Sequence, residues 1–191
     1  MSLSDELAKL VVEVTSPDGN IKAKLVAGEQ LTVAFRPGTY ARYDERGLEH
    51  QLSRLAMLAW TGYRRGFFEA KGRAEDISAK DAEKEHLNHW DANTRRYNEE
   101  MAQIVARGKS SGNVIRAQAK GLAFWKVEIR DGTLASMDEA TFCAECVSVL
   151  AAVQRDSKNQ EILLKDFYFG LNIPKSWRKK NPLRIERGVM D

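Results

Sequence analysis

Two stretches of the chain alternate apolar and polar residues, and each leads into apolar residues at helical spacing. In the first, Ile21, Ala23 and Leu25 stand on one face with Lys22 and Lys24 on the other, and Leu31, Val33 and Phe35 repeat the pattern. With the β-rich run Leu10–Val14 before them, they predict a three-stranded meander. Ser16-Pro17-Asp18-Gly19 and Gly28-Glu29 supply its turns, and Arg36-Pro37-Gly38 ends it. In the second, Ile104–Ala106 is the first strand and Ser110-Ser111-Gly112-Asn113 the turn. Ile115, Ala117 and Ala119 follow, then Trp125, Val127 and Ile129. Alternation of this kind predicts small antiparallel sheets, each with one face toward water.

A helix follows each meander, with Asp44 and Asp138 as N-caps and Glu45 and Glu139 in the first turn. Leu48, Leu52, Leu55, Ala56 and Ala59 form one stripe; Phe142, Cys146, Val149, Leu150 and Val153 form the other at the same spacing. The first helix continues past Trp60, weakened by Gly62 and Gly66. Between the copies, residues 79–101 contain no Pro or Gly and predict one long, exposed connecting helix.

The two patterns are one repeat. Shifting residues 21–45 by 94 places them on 115–139 without a gap, with nine identical pairs, including Arg36/Arg130, Gly38/Gly132, Thr39/Thr133 and Asp44/Asp138. The expected architecture is α+β: two tandem antiparallel β-meander plus helix units joined by a long helix into a pseudo-symmetric body. The first unit takes residues 1–75, the connecting helix 76–103, the second unit 104–164 and a basic C-terminal tail 165–191.

Composition narrows the function. The chain has 191 residues, of which 43% are hydrophobic, so it can bury a core. No apolar run approaches the roughly 18–20 residues of a membrane span. The opening Met1-Ser-Leu-Ser-Asp-Glu lacks a basic start and an apolar run, so no signal peptide and a cytoplasmic location are expected. The net charge of +3 is uneven. Residues 165–191 hold seven basic against three acidic residues, which leaves the rest at −1. An anionic partner must therefore be met locally.

The tail is the first candidate for such contact. Lys175, Arg178, Lys179, Lys180, Arg184 and Arg187 suit phosphates, and Trp177 suits stacking on bases or sugars. The competing reading is a docking tail that packs Phe167, Phe169, Leu171 and Ile173 onto the body. Arg64 and Arg65, between Tyr63 and Phe67-Phe68, form a second basic-aromatic stretch, with core aromatics flanked by solvated arginines as the plainer reading. Arg36 and Arg130 share one repeat position and read either as a pair straddling a groove or as turn anchors.

Cys143-Ala-Glu-Cys146 matches C-x-x-C, but Cys146 aligns with Leu52 and reads as a core residue. His86 and His89 lack the H-E-x-x-H setting and read as a solvated helix face. Phosphate-loop, dinucleotide and nucleophile-elbow motifs do not occur. The expectation is no enzyme, no cofactor and no metal.

The Ser16-Pro17-Asp18-Gly19 turn, the Phe35-Arg36-Pro37-Gly38-Thr39-Tyr40 strand end and the Asp44-Glu45 helix start resemble the YbaB/EbfC family in its actinobacterial form. The resemblance covers residues 5–70 and, through the repeat, 104–157, where the proline and the S-P-D-G turn are missing. It implies a fused version of a dimeric helix–meander–helix fold. It also implies one of two roles: nucleoid-associated DNA binding, or a protein-binding accessory role in ESX (type VII) secretion. A fused pair of this kind stops as a monomer or pairs again as a homodimer.

Overall fold

A computed structural model describes residues 2–185. A short helix α1 (Leu3–Ala8) precedes strands β1 (Val11–Thr15), β2 (Ile21–Val26) and β3 (Gln30–Phe35), which lead into the long helix α2 (Glu45–Glu75). Helices α3 (Ala79–Leu87) and α4 (Ala92–Met101) connect to β4 (Val105–Lys109), β5 (Ile115–Lys120) and β6 (Phe124–Ile129). A single turn α5 (Thr133–Ser136), the long helix α6 (Glu139–Phe169) and a final short helix α7 (Lys175–Lys180) complete the order. Both sheets are three-stranded antiparallel meanders, β1-β2-β3 and β4-β5-β6. The bounds of every strand and of both long helices repeat at an offset of 94.

The repeat extends to individual bonds. Ser16 Oγ accepts the Ile21 N–H at 2.9 Å, and Ser110 Oγ accepts that of Ile115 at 3.0 Å. These buried hydroxyls satisfy the first amide of each middle strand. Thr39 and Thr133 each donate a hydroxyl to the carbonyl of Arg36 or Arg130, at 2.7 and 2.6 Å. The two arginines thus serve the turns through their backbones, with side chains outside. Asp44 and Asp138 cap their helices as expected, each accepting the N–H three residues on at 2.7 Å.

Three local features differ from the sequence reading. The helix expected over residues 79–101 is two helices, because Asn88 leaves helical geometry and Asp91 starts a new N-terminus. Asp91 Oδ2 accepts the Thr94 N–H at 2.7 Å, and Arg95 binds the His89 carbonyl at 2.7 Å. This cap sits within good helix formers, which hid it. The stretch is also not wholly exposed: α3 packs on α2 with Ala82 buried, and α4 packs on α6. Gly62 and Gly66, finally, do not interrupt α2. A Cβ on Gly62 would lie 2.6 Å from Val12, and one on Gly66 2.4 Å from Leu10. The glycines let α2 lie close on the start of the first sheet.

One hydrophobic core joins the two units. Each long helix packs on its own sheet and reaches across to the last strand of the other, α2 onto β6 and α6 onto β3. Phe142 is fully buried against Phe35 and Tyr40 of the first unit, with ring centroids 6.2 and 5.5 Å apart. The Tyr40 hydroxyl donates to the Met137 carbonyl at 3.0 Å. On the outer edge of β6, the N–H of Val127 donates to Ser53 Oγ at 3.0 Å and that of Ile129 to Glu49 Oε1 at 2.7 Å. Two side chains of α2 thereby quench an otherwise open sheet edge. The equivalent positions on α6, Val147 and Cys143, carry no oxygen for β3. Among the described residues no helix is long and apolar enough to cross a membrane.

Candidate nucleic-acid interface

The predicted basic residues divide into held and unheld groups. Arg178 pairs with the buried carboxylate of Asp166 at 2.7 Å, and Asp166 also accepts the Ile173 N–H at 3.3 Å. Arg184 pairs with Asp156 and donates to the Val105 carbonyl at 3.2 Å. Around it the tail is docked by polar bonds. Gln160, 1% exposed, accepts the Arg184 N–H at 2.6 Å and donates to the Pro182 carbonyl at 3.0 Å. The Arg184 carbonyl in turn accepts the Val105 N–H at 3.0 Å. These two arginines fasten the tail to the second unit.

Arg64 is likewise engaged, bridging to Glu83 at 2.9 Å and lying 5.7 Å above the Phe68 ring. Arg65, Lys175, Lys179 and Lys180 are exposed without an acidic partner among the described residues, and Trp177 is half-buried. Arg187 lies outside the described residues. Of the apolar residues of the competing docking-tail reading, Ile173 is half-buried and the Phe169 ring lies 5.6 Å from that of Tyr97. Phe167, Phe169 and Leu171 are exposed, because α6 continues to Phe169 and residues two apart on a helix point to different sides.

A denser cationic surface lies on the outer face of the second sheet. Strand register places Arg107 and Lys109 of β4, Arg116, Gln118 and Lys120 of β5, and Phe124, Lys126 and Glu128 of β6 on that one face. It holds five cations and one acid. Lys109 stands directly opposite Arg116, and Arg116 opposite Glu128. Arg107, Lys109, Arg116 and Lys126 line a trough of about 520 Å³ with Gln118 and Glu128. Arg107 Nε donates to Gln118 at 3.1 Å, and Lys126 pairs with Glu128 at 2.6 Å. That pair is mutual: Lys126 holds the Glu128 carboxyl below its usual range, and Glu128 raises the lysine. Lys109 and Arg116 have no salt-bridge partner among the described residues. Phe124 stands 68% exposed opposite Lys120.

Like charges facing each other across a sheet weaken it, so the Lys109–Arg116 pair opposes the pairing of β4 with β5, offset in part by Glu128 on the other side of Arg116. A phosphate between the two would turn repulsion into two charge-assisted contacts. The signal for this face was present in the sequence, in the polar half of the same alternation that revealed the strands.

The two thiols are placed for packing. Cys146 is buried and Cys143 half-buried, and burial raises the pKa of both thiols, that of Cys146 well above the usual range, which keeps them protonated. His86 packs edge-on against Phe68 at 5.7 Å, whereas His89 sits in the break between α3 and α4 and accepts the Asp91 N–H. The two imidazoles therefore share no helix face. Among the described residues no group of three or more His, Cys, Asp or Glu side chains is arranged to hold a metal ion.

The chain matches no protein-family model, no curated protein and no solved structure.

Proposed function

We propose that this chain is a non-enzymatic, sequence-tolerant DNA-binding protein of the nucleoid-associated kind. In this reading it is a fused pseudo-dimer of YbaB/EbfC type, and the outer face of its second sheet carries the phosphate backbone. The supporting observation is the concentration of Arg107, Lys109, Arg116, Lys120 and Lys126 on one face against the single acid Glu128. Lysines and arginines so placed neutralise phosphates and release condensed counterions, a source of affinity that does not depend on base sequence. The free cations of the tail, Lys175, Lys179 and Lys180, add to that term without anchoring it.

Duplex-DNA anisotropy across a salt series tests the reading. Replacing Lys109, Arg116 and Lys126 together by Gln should flatten the slope of log K against log salt by about 3, at about 0.9 per lost phosphate contact. The same change at Lys175, Lys179 and Lys180 should have a smaller effect. If the tail triple flattens the slope and the sheet triple does not, the face is wrongly assigned. No binding by the unaltered chain at about 50 mM salt rules out DNA altogether.

A second reading, a protein-binding accessory factor associated with ESX (type VII) secretion, draws on a different surface. Phe167, Phe169 and Leu171 are 74%, 48% and 52% exposed around the end of α6, and clustered exposed apolar side chains suit a protein partner.

A further inference from the structure

Where the two units meet, the core is left open by a cavity of about 390 Å³. Its walls come from both sheets and both long helices, with Ala23, Leu25, Leu52, Ala117, Val127 and Cys146 among them. The opening follows from small side chains: Cys146 stands where the first unit has Leu52, and Val149 where it has Leu55. Apolar cavities exclude water and accept apolar ligands, and this volume falls within the roughly 300–1,000 Å³ typical of small-molecule sites.

The charged groups at the cavity and the Gln154 amide are already engaged. Gln154 Nε2 donates to the Gly28 carbonyl at 2.5 Å, and Lys158 pairs with Glu29 at 2.6 Å. Glu161 pairs with Lys165 at 2.6 Å and accepts the Tyr97 hydroxyl at 3.3 Å. Each charge lining the cavity therefore has an opposite charge beside it, and none is left over to hold a charged headgroup. Tyr63 lies over Gly28, where a Cβ would come within 2.7 Å of its ring. Its hydroxyl, with that of Ser157 on α6, is left to serve a neutral oxygen.

We propose that this cavity binds a slender, uncharged, largely aliphatic molecule carrying a single hydroxyl, in chemical class a long-chain alcohol. The aliphatic chain would occupy the space between Leu52 and Cys146, and the hydroxyl would lie beside Tyr63. This site is independent of the cationic face, and the DNA reading stands or falls without it.

The test is titration of the full chain with n-octanol, n-decanol and n-dodecanol, followed by tryptophan fluorescence, since Trp60 and Trp125 both line the cavity. Saturation should reach one alcohol per chain, and affinity should tighten about fourfold per added methylene. The alkanoate of the same length should bind at least tenfold more weakly at neutral pH. Cys146→Leu, which installs the first unit's residue, should weaken dodecanol binding at least tenfold while raising the melting temperature. If that variant melts below the unaltered chain, Ala59→Leu fills the space from α2 and is read instead. Absence of saturable binding overturns the proposal. So does equal binding of the alkanoate, an affinity insensitive to chain length, or undiminished binding by the filled variant.

Discussion

The outer faces of the two sheets occupy the same places in one repeat and carry different chemistry. The first presents Glu13, Thr15, Lys22, Lys24, Gln30 and Thr32 with Val11, Val26 and Ala34, a face of two cations and one acid. At the matching positions the second has Arg107, Lys109, Arg116, Gln118, Phe124 and Lys126, with Lys120 for Val26 and Glu128 for Ala34. The inward positions, by contrast, keep their non-polar character: Ile21/Ile115, Ala23/Ala117 and Val33/Val127 are identical pairs, while Leu25/Ala119, Leu31/Trp125 and Phe35/Ile129 change size and not polarity. Packing constrains the inner face in both units alike. The outer face is free of that constraint, so its divergence separates what the fold requires from what one unit alone is used for. The first sheet avoids a like-charged cross-strand pair by placing Thr15 opposite Lys22. The second accepts one.

The largest expected effect probes what the two units share. Phe142 and Leu48 stand at one repeat position, and both are fully buried. Phe142→Ala should cost about 3–5 kcal/mol and Leu48→Ala about 2–5 kcal/mol. Because Phe142 packs on Phe35 and Tyr40 of the other unit, each variant should unfold in a single urea transition at a lower midpoint. A biphasic curve for Phe142→Ala would mean that the units melt separately and that the common core is not cooperative.

A graft sharpens the difference between the faces. Glu13→Arg, Thr15→Lys and Thr32→Lys give the first sheet the cations that the second carries at Arg107, Lys109 and Lys126. All three positions are exposed, but the graft removes the Glu13–Lys24 ion pair and sets new cations opposite Lys22 and Lys24, so stability should fall by roughly 1–2 kcal/mol. Duplex-DNA affinity should rise, with the salt slope steepening by about 0.9 for each new phosphate contact. An unchanged slope would show that charge density alone does not make the face a binding surface.

Much of this arrangement was legible in the sequence, for local reasons. Alternation placed Ile21, Ala23 and Leu25 inward, and Asp44 and Asp138 announced their helices, because strand faces and caps are decided within a few residues. What could not be read depended on distant partners. Arg178 and Arg184 looked like free cations until Asp166 and Asp156 of α6 were brought beside them. Ser53 and Glu49 gave no hint that they would quench the edge of β6, some 74 and 80 residues away. The cationic face was missed differently. Along the chain Arg107, Lys109, Arg116, Lys120 and Lys126 are diluted by the acids of α2 to α4, and only the alternation of the strands sorts them onto one side.

The far halves of the long helices offer the smallest and most specific test. Phe68 on α2 and Ile162 on α6 share a repeat position, yet Phe68 is 6% exposed and Ile162 40%. The difference is α3, which folds onto α2 and lays His86 against Phe68. Burial lowers the His86 pKa, and the nearby cations Lys71 and Arg64 lower it further, against the opposing pull of Glu83. The folded chain therefore takes up this proton less readily than the unfolded chain, in which it titrates near about 6.5. Above that pH neither state is protonated there, and the stabilising contact is fully present. As pH falls below it, the unfolded state binds more protons, and stability declines until the folded imidazole is protonated too. Urea midpoints at pH 7.5 and 5.5 should fall more for the unaltered chain than for His86→Gln, which removes the titrating group. Equal shifts in the two proteins would mean that α3 is held on α2 without help from this imidazole, and that the contrast between Phe68 and Ile162 rests on apolar contact alone.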